Sequence, residues 1–130
     1  MGAFEEAVAP LPSMASLRAY LIVDTVRGGC VGETGSAIDA ERTAADPVVA
    51  QIPEARAFFE RIAADEARHA ALAFETLAWL AGGDAERWAL AEQTIGDVER
   101  EFVAAGERRE VITGVVRPLL GGMRAARGAS

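Results

Sequence analysis

The chain reads as an all-α fold, an antiparallel helical hairpin followed by two further helices. Three observations predict this. Apolar residues recur every three or four positions in four successive stretches, the period of an amphipathic helix. Helix-stopping residues, Asp46-Pro47, Gly82-Gly83 and Gly106, separate those stretches. No stretch alternates apolar and polar residues as a half-buried strand would, and there is no internal repeat.

Residues 1–12 contain Pro10 and Pro12, lack a clear period, and read as an N-terminal arm. Ser13 can cap a first helix beginning near Met14. Along it Ala19, Ile22, Val26, Cys30, Glu33, Ala37 and Ala40 mark one face, and Asp46-Pro47 ends it because the residue before proline avoids the helical region. Residues 48–52 read as a short connection. Pro53 suits the first turn of a second helix, with Glu54 near its positive end. Its face reads Ile62, Glu66, His69, Ala73, Thr76 or Leu77, and Leu80, and Gly82-Gly83 stops it. Asp84 caps a third helix with the stripe Trp88, Ala91, Ile95, Val98 and Phe102. A fourth runs from about Glu107, with Val111, Ile112, Val115, Val116 and Leu119 apolar, and Pro118 kinks or ends it. The helical domain is therefore expected over 13–120, with residues 121–130 as a small, basic, flexible tail.

Composition limits the function classes. At 130 residues the chain is one domain, and its 51% hydrophobic residues are interspersed with charge. No apolar run approaches the ~20 residues that span a bilayer. Glu5 and Glu6 stand where a signal peptide would be basic. The single Cys30 cannot form an internal disulfide, which fits a reducing compartment, and a cytoplasmic location is expected. The net charge of -7 argues against nucleic acid and anionic membrane as partners. Every Lys/Arg position is arginine, so Schiff-base chemistry and a lysine-dependent phosphate loop are excluded.

Gly28, Gly29, Gly32 and Gly35 interrupt the first helix, each at a cost of about 1 kcal/mol relative to alanine. They fit close approach of a neighbouring helix, a local bulge beside a ligand, or a break that leaves Glu33 in a loop.

The residues that carry chemistry are Glu33, Glu66 and His69. Glu66 and His69 form a Glu-x-x-His pair, which a helix projects from one face, and His69 is the only histidine. Glu33 lies 13 residues before Asp46 and Glu66 lies 13 after Pro53. At ~1.5 Å per residue both are ~20 Å from the turn, level with each other in an antiparallel pair. Each sits in an otherwise apolar stripe, where an unpaired carboxylate is costly and a cation compensates it. Carboxylates with an imidazole suit iron or manganese, and zinc is possible. The competing reading is a Glu–His hydrogen bond without metal, or a Glu66 that reaches solvent. Cys30, one turn before Glu33, reads as a small core residue, Tyr20 as a packing residue, and Trp79, Trp88 and Phe102 as core or interface.

The run Asp65-Glu66-Ala67-Arg68-His69 resembles the acidic-Glu-x-x-His motif of ferritin-like di-iron carboxylate proteins. The stretches 29–34 and 61–72 resemble the C-terminal half of bacterial ferritin-like domain proteins. The resemblance implies a four-helix bundle supplying two single glutamates and two Glu-x-x-His pairs. It implies Glu33 as a metal-binding carboxylate, Glu66 as a bridging one and His69 as a terminal ligand. Asp65 is similar to the family's acid that orients a histidine ring, and Arg68 could pair with it. A complete family domain carries both halves, whereas this chain carries one, an economy similar to that of encapsulated ferritins. Either two copies form a homodimer or higher even-numbered oligomer with a dinuclear iron site shared between chains, or the other half is a separate polypeptide. The functions to weigh are oxidation of Fe(II) by oxygen or peroxide, oxygenation of a small organic substrate, and a non-catalytic helical interaction module that needs a partner chain.

Overall fold

The computed structural model describes residues 13–107 and 109–128, so the arm at 1–12 lies outside the described residues. Every regular element among the described residues is helical. The first rod joins three pieces without a break: α1 (Met14–Asp24), a π-helical segment (Thr25–Glu33) and α2 (Thr34–Ala45). The Ser13 hydroxyl accepts from the Ser16 amide and caps its start. The expected connection contains a one-turn helix, α3 (Pro47–Ala50), because the Asp46 carboxylate accepts from the amides of Val48 and Val49. Helix α4 (Pro53–Ala81) runs back along the first rod and stops at Gly82, whose φ of 55° suits a residue without a side chain.

Asp84 caps α5 (Ala85–Ala105) through the amides of Glu86 and Arg87, and Gly106, with φ of 72°, ends it. The last helix differs from expectation at both ends. Helical structure resumes at Glu110 rather than Glu107, widens into a second π segment (Ile112–Val116), and continues as α6 (Arg117–Ala126). Pro118 neither ends nor breaks it. Proline has no N–H for the preceding turn, and the widened turns upstream accommodate its ring. Residues 121–126 continue α6 instead of forming a loose tail. Leu120 is buried, Met123 packs on the core, and Arg124 pairs with Glu92 at 2.7 Å, which holds the final turn against α5.

The core lies between the first rod from Ile22 to Val31, the C-terminal part of α4 from Phe74 to Ala81, α5 and the last helix. Trp88 is its fully buried centre, and its indole N–H donates to the Gly82 carbonyl at 2.8 Å. That bond ties the α4–α5 turn to the core and leaves no polar atom of the ring unmet. Helices α5 and α6 therefore cover one side of the hairpin. The other side, with Leu17, Tyr20, Leu21, Leu72 and Trp79, stays exposed. Tyr20 is not a packing residue of the core, and of the two tryptophans only Trp88 is.

Beyond this core the hairpin is closed by small residues. Ala40 and Ala44 of α2 and Ala63 and Ala70 of α4 are buried along the seam. At Gly29 the approach is closer still, since a Cβ built there would overlap the Ala73 Cβ. The glycine-rich stretch thus provides both close approach and a local bulge, and it does not break the helix. We expect Gly29→Ala to destabilise the protein by about 1–3 kcal/mol, the usual cost of overpacking a tight contact. Chemical denaturation checks this, and Ala73→Gly in the same chain should recover most of the loss.

Candidate metal centre

Glu33 closes the first π segment and faces α4, while Glu66 and His69 lie one turn apart on α4. A π turn hydrogen-bonds i to i+5 and so rotates the residues after it relative to those before it. Ile22 ahead of the segment and Val26, Cys30 and Val31 within it are buried in the core; after it Thr34, Ala40 and Ala44 are the buried residues. Glu33 falls at the junction. The contacts Gly29–Ala73 and Glu33–His69 step four residues forward on one helix and four back on the other, which shows the antiparallel register directly.

The three side chains meet. One ligand atom from each of Glu33, Glu66 and His69 lies within 4.8 Å of the others. The His69 Nδ1 is 3.7 Å from the Glu33 Oε2 and 4.0 Å from the Glu66 Oε2. These separations exceed direct hydrogen bonds and leave room for a cation among the three donors. The site is a surface feature of the single chain. Glu33 and Glu66 side chains are 34% and 26% exposed, and His69 is 60% exposed. The sequence places the triad in an apolar stripe; the structure leaves all three side chains open to solvent.

Electrostatics mark the pair of carboxyls. Glu66 is raised above the ordinary carboxylate range, first by its hydrogen bond with Glu33, then by desolvation and by the Glu33 charge, against a smaller opposing effect of His69. Two acids sharing a hydrogen bond retain a proton that a metal ion would displace. A groove of about 440 Å³ runs from the triad between the two helices, with Asp24, Gly28, Leu72 and Thr76 in its walls. The hydroxyl of Thr34, next to Glu33, is buried without a hydrogen-bond partner among the described residues.

Asp65 and Arg68 do not join the triad. They pair with each other on the exposed side of α4, three residues apart, so the Asp65 carboxylate is directed to the guanidinium and not to His69 of the same chain. Cys30 is fully buried, and burial pushes its thiol up to about 12. It is a protonated core residue, not a thiolate ligand.

No family model, curated protein or solved structure matches this chain.

The chemistry open to the triad therefore rests on its own donors. Two carboxylates and an imidazole, converging from two helices with open space beside them, form a donor set for a divalent transition metal. Among the described residues no helix is long and apolar enough to cross a membrane. Periodicity along the buried face passes over Phe58, which is exposed on α4. It lies seven residues before Asp65, fourteen before Leu72 and twenty-one before Trp79, a heptad spacing legible without coordinates.

The Glu66 carboxyl gives a signed test on metal-free protein. Its raised value means the folded state favours the protonated form. Its contribution to stability is fully present below the ordinary value of 4.5 and is lost as pH rises through the raised one. Glu66→Gln keeps a neutral group there, so the variant should lose less stability than wild type between pH 4 and pH 7. Denaturant titrations at both pH values check this, and equal losses would contradict the coupling to Glu33.

Proposed function

We propose that this protein is a ferritin-like metal protein in which Glu33, Glu66 and His69 form half of a dinuclear iron carboxylate centre, completed by a second copy of the chain. Its activity is the oxidation of Fe(II) by oxygen or peroxide. The observation that carries the reading is the convergence of three ligand atoms within 4.8 Å, from two helices, on a face that α5 and α6 leave uncovered.

The donor set fits the ion. Carboxylates and imidazole suit iron and manganese and also accommodate zinc. The acid–acid contact that raises Glu66 is a negative locus that a cation relieves. One chain offers two carboxylates and one imidazole, too few to saturate two ions, and two chains about a two-fold axis offer twice that number. The exposed apolar residues beside the triad, above all Leu72 and Trp79, are what a second copy would cover. A pair of bound ions would let two Fe(II) give one electron each to oxygen, which with two protons leaves as hydrogen peroxide. Glu33 and Glu66 would hold the ions with carboxylate oxygens, and His69 would supply a ring nitrogen.

Metal analysis and native mass on protein purified without chelator test the reading. The expected result is about one iron or manganese per chain in an even-numbered oligomer that oxidises added Fe(II). His69→Ala should lose more than ~100-fold in metal affinity, since even groups behind the ligands contribute 10–100-fold. It should keep wild-type circular dichroism, because His69 is largely outside the core. A metal-free monomer that remains empty after anaerobic Fe(II) loading would point instead to an interaction module or to a separate partner chain.

A further inference from the structure

The exposed side of α4 carries a heptad seam that lies outside the buried core. Phe58, Asp65, Leu72 and Trp79 recur at seven-residue intervals, and all four are exposed. Ile62, His69 and Thr76 fall four residues after the first three, which completes the alternating four-three spacing of a left-handed helix pair. Trp79 is the most exposed large apolar residue described, at 77%. The groove beside the triad is lined by the first rod and α4 alone.

The aromatic ends of the seam are symmetric about its middle. Phe58 and Trp79 stand at its two ends, and the point halfway between them falls between Arg68 and His69. An antiparallel copy centred there sets aromatic against aromatic at both ends and brings the two histidines together at the centre. The charges agree with that direction. Arg61 and Glu75 flank the seam, are exposed, and have no ion-pair partner among the described residues. Their positions sum to within one residue of those of Phe58 and Trp79, so an antiparallel copy sets Arg61 opposite the Glu75 of its mate. A parallel copy in register would instead leave Arg61 and Glu75 fourteen residues, about 20 Å, apart along the pair.

We infer that two copies of this chain pair through α4 in antiparallel register, with Trp79 of each protomer packed against Phe58 of the other and the two-fold axis beside His69. The pairing takes its biological purpose from the metal reading but not its geometry. It joins two half-sites at the axis and removes the exposed indole from water, and edge-to-face aromatic contact adds to the burial.

Cross-linking of the full chain tests it. Phe58→Cys and Trp79→Cys are made singly and together, and each protein is treated at neutral pH with a short bis-maleimide, both metal-free and loaded with Fe(II). Cys30 is fully buried and protonated, so wild type serves as the unreactive control. The double variant should give a covalent species of twice 13.7 kDa. Neither single variant should, because identical positions on antiparallel helices lie about 30 Å apart, the rise of 21 residues. Both sites are exposed, so the substitutions leave the core intact. Self-cross-linking of either single variant, or a double variant that stays monomeric, would overturn the register. Metal content on the same samples separates the two readings. Cross-linked dimers without metal would support the interface and remove the metal centre, whereas metal-loaded protein without the cross-link would remove this interface and leave the metal centre standing.

Discussion

The close approach of the first rod to α4 is the constraint on which the rest depends. Two helices normally pack 8–10 Å apart according to the side chains between them. Here glycine meets alanine at Gly29 and Ala73, and alanines at 40, 44, 63 and 70 continue the seam. Short side chains at the contact let short acids reach across it. With leucines in the seam, the glutamates at 33 and 66 would stand further apart than 4.8 Å and would be two surface charges rather than one site.

The widened segment from Thr25 to Glu33 adds direction to proximity. A regular helix with this sequence would carry the core face of Ile22 and Val26 onward at a constant angle. The wider turns shift that angle just before Glu33, so the first rod serves the core on one stretch and the hairpin seam on the next. Arg27 anchors the segment from outside through a paired hydrogen bond with Glu101 on α5, at 2.8 and 3.0 Å. This pair is exposed and contributes little to stability by itself; it links the outer side of the segment to α5, while Val26, Cys30 and Val31 pack its inner side on the core.

Some of this was legible in the sequence and some was not, for physical reasons. The level match of Glu33 and Glu66 could be counted because every helical residue rises by the same amount. The caps at Ser13, Asp84 and Gly106 could be read because their chemistry is local. The response of the glycine stretch could not, since break, bulge and close contact are separated by Ala73, a residue distant in sequence. Periodicity placed Trp79 and Trp88 each on an apolar face but could not tell which face is covered. One is the centre of the core and the other stands in solvent, because α5 and α6 pack on a single side of the hairpin. The last helical turns were hidden behind Gly121-Gly122, whose poor helix propensity is offset by burial of Leu120, packing of Met123 and the Arg124–Glu92 pair together.

Cys30 sits three residues before Glu33, and its burial has a chemical consequence for the neighbourhood. Oxidants attack thiolate rather than thiol. Burial pushes the thiol up to about 12, so the anion is scarce at neutral pH. An oxidant that reaches the carboxylates therefore finds no sulfur nucleophile one turn away, and the lone cysteine resists conversion to sulfenic acid or to a mixed disulfide. The apolar packing that buries Cys30 thus also keeps it in its less reactive thiol form.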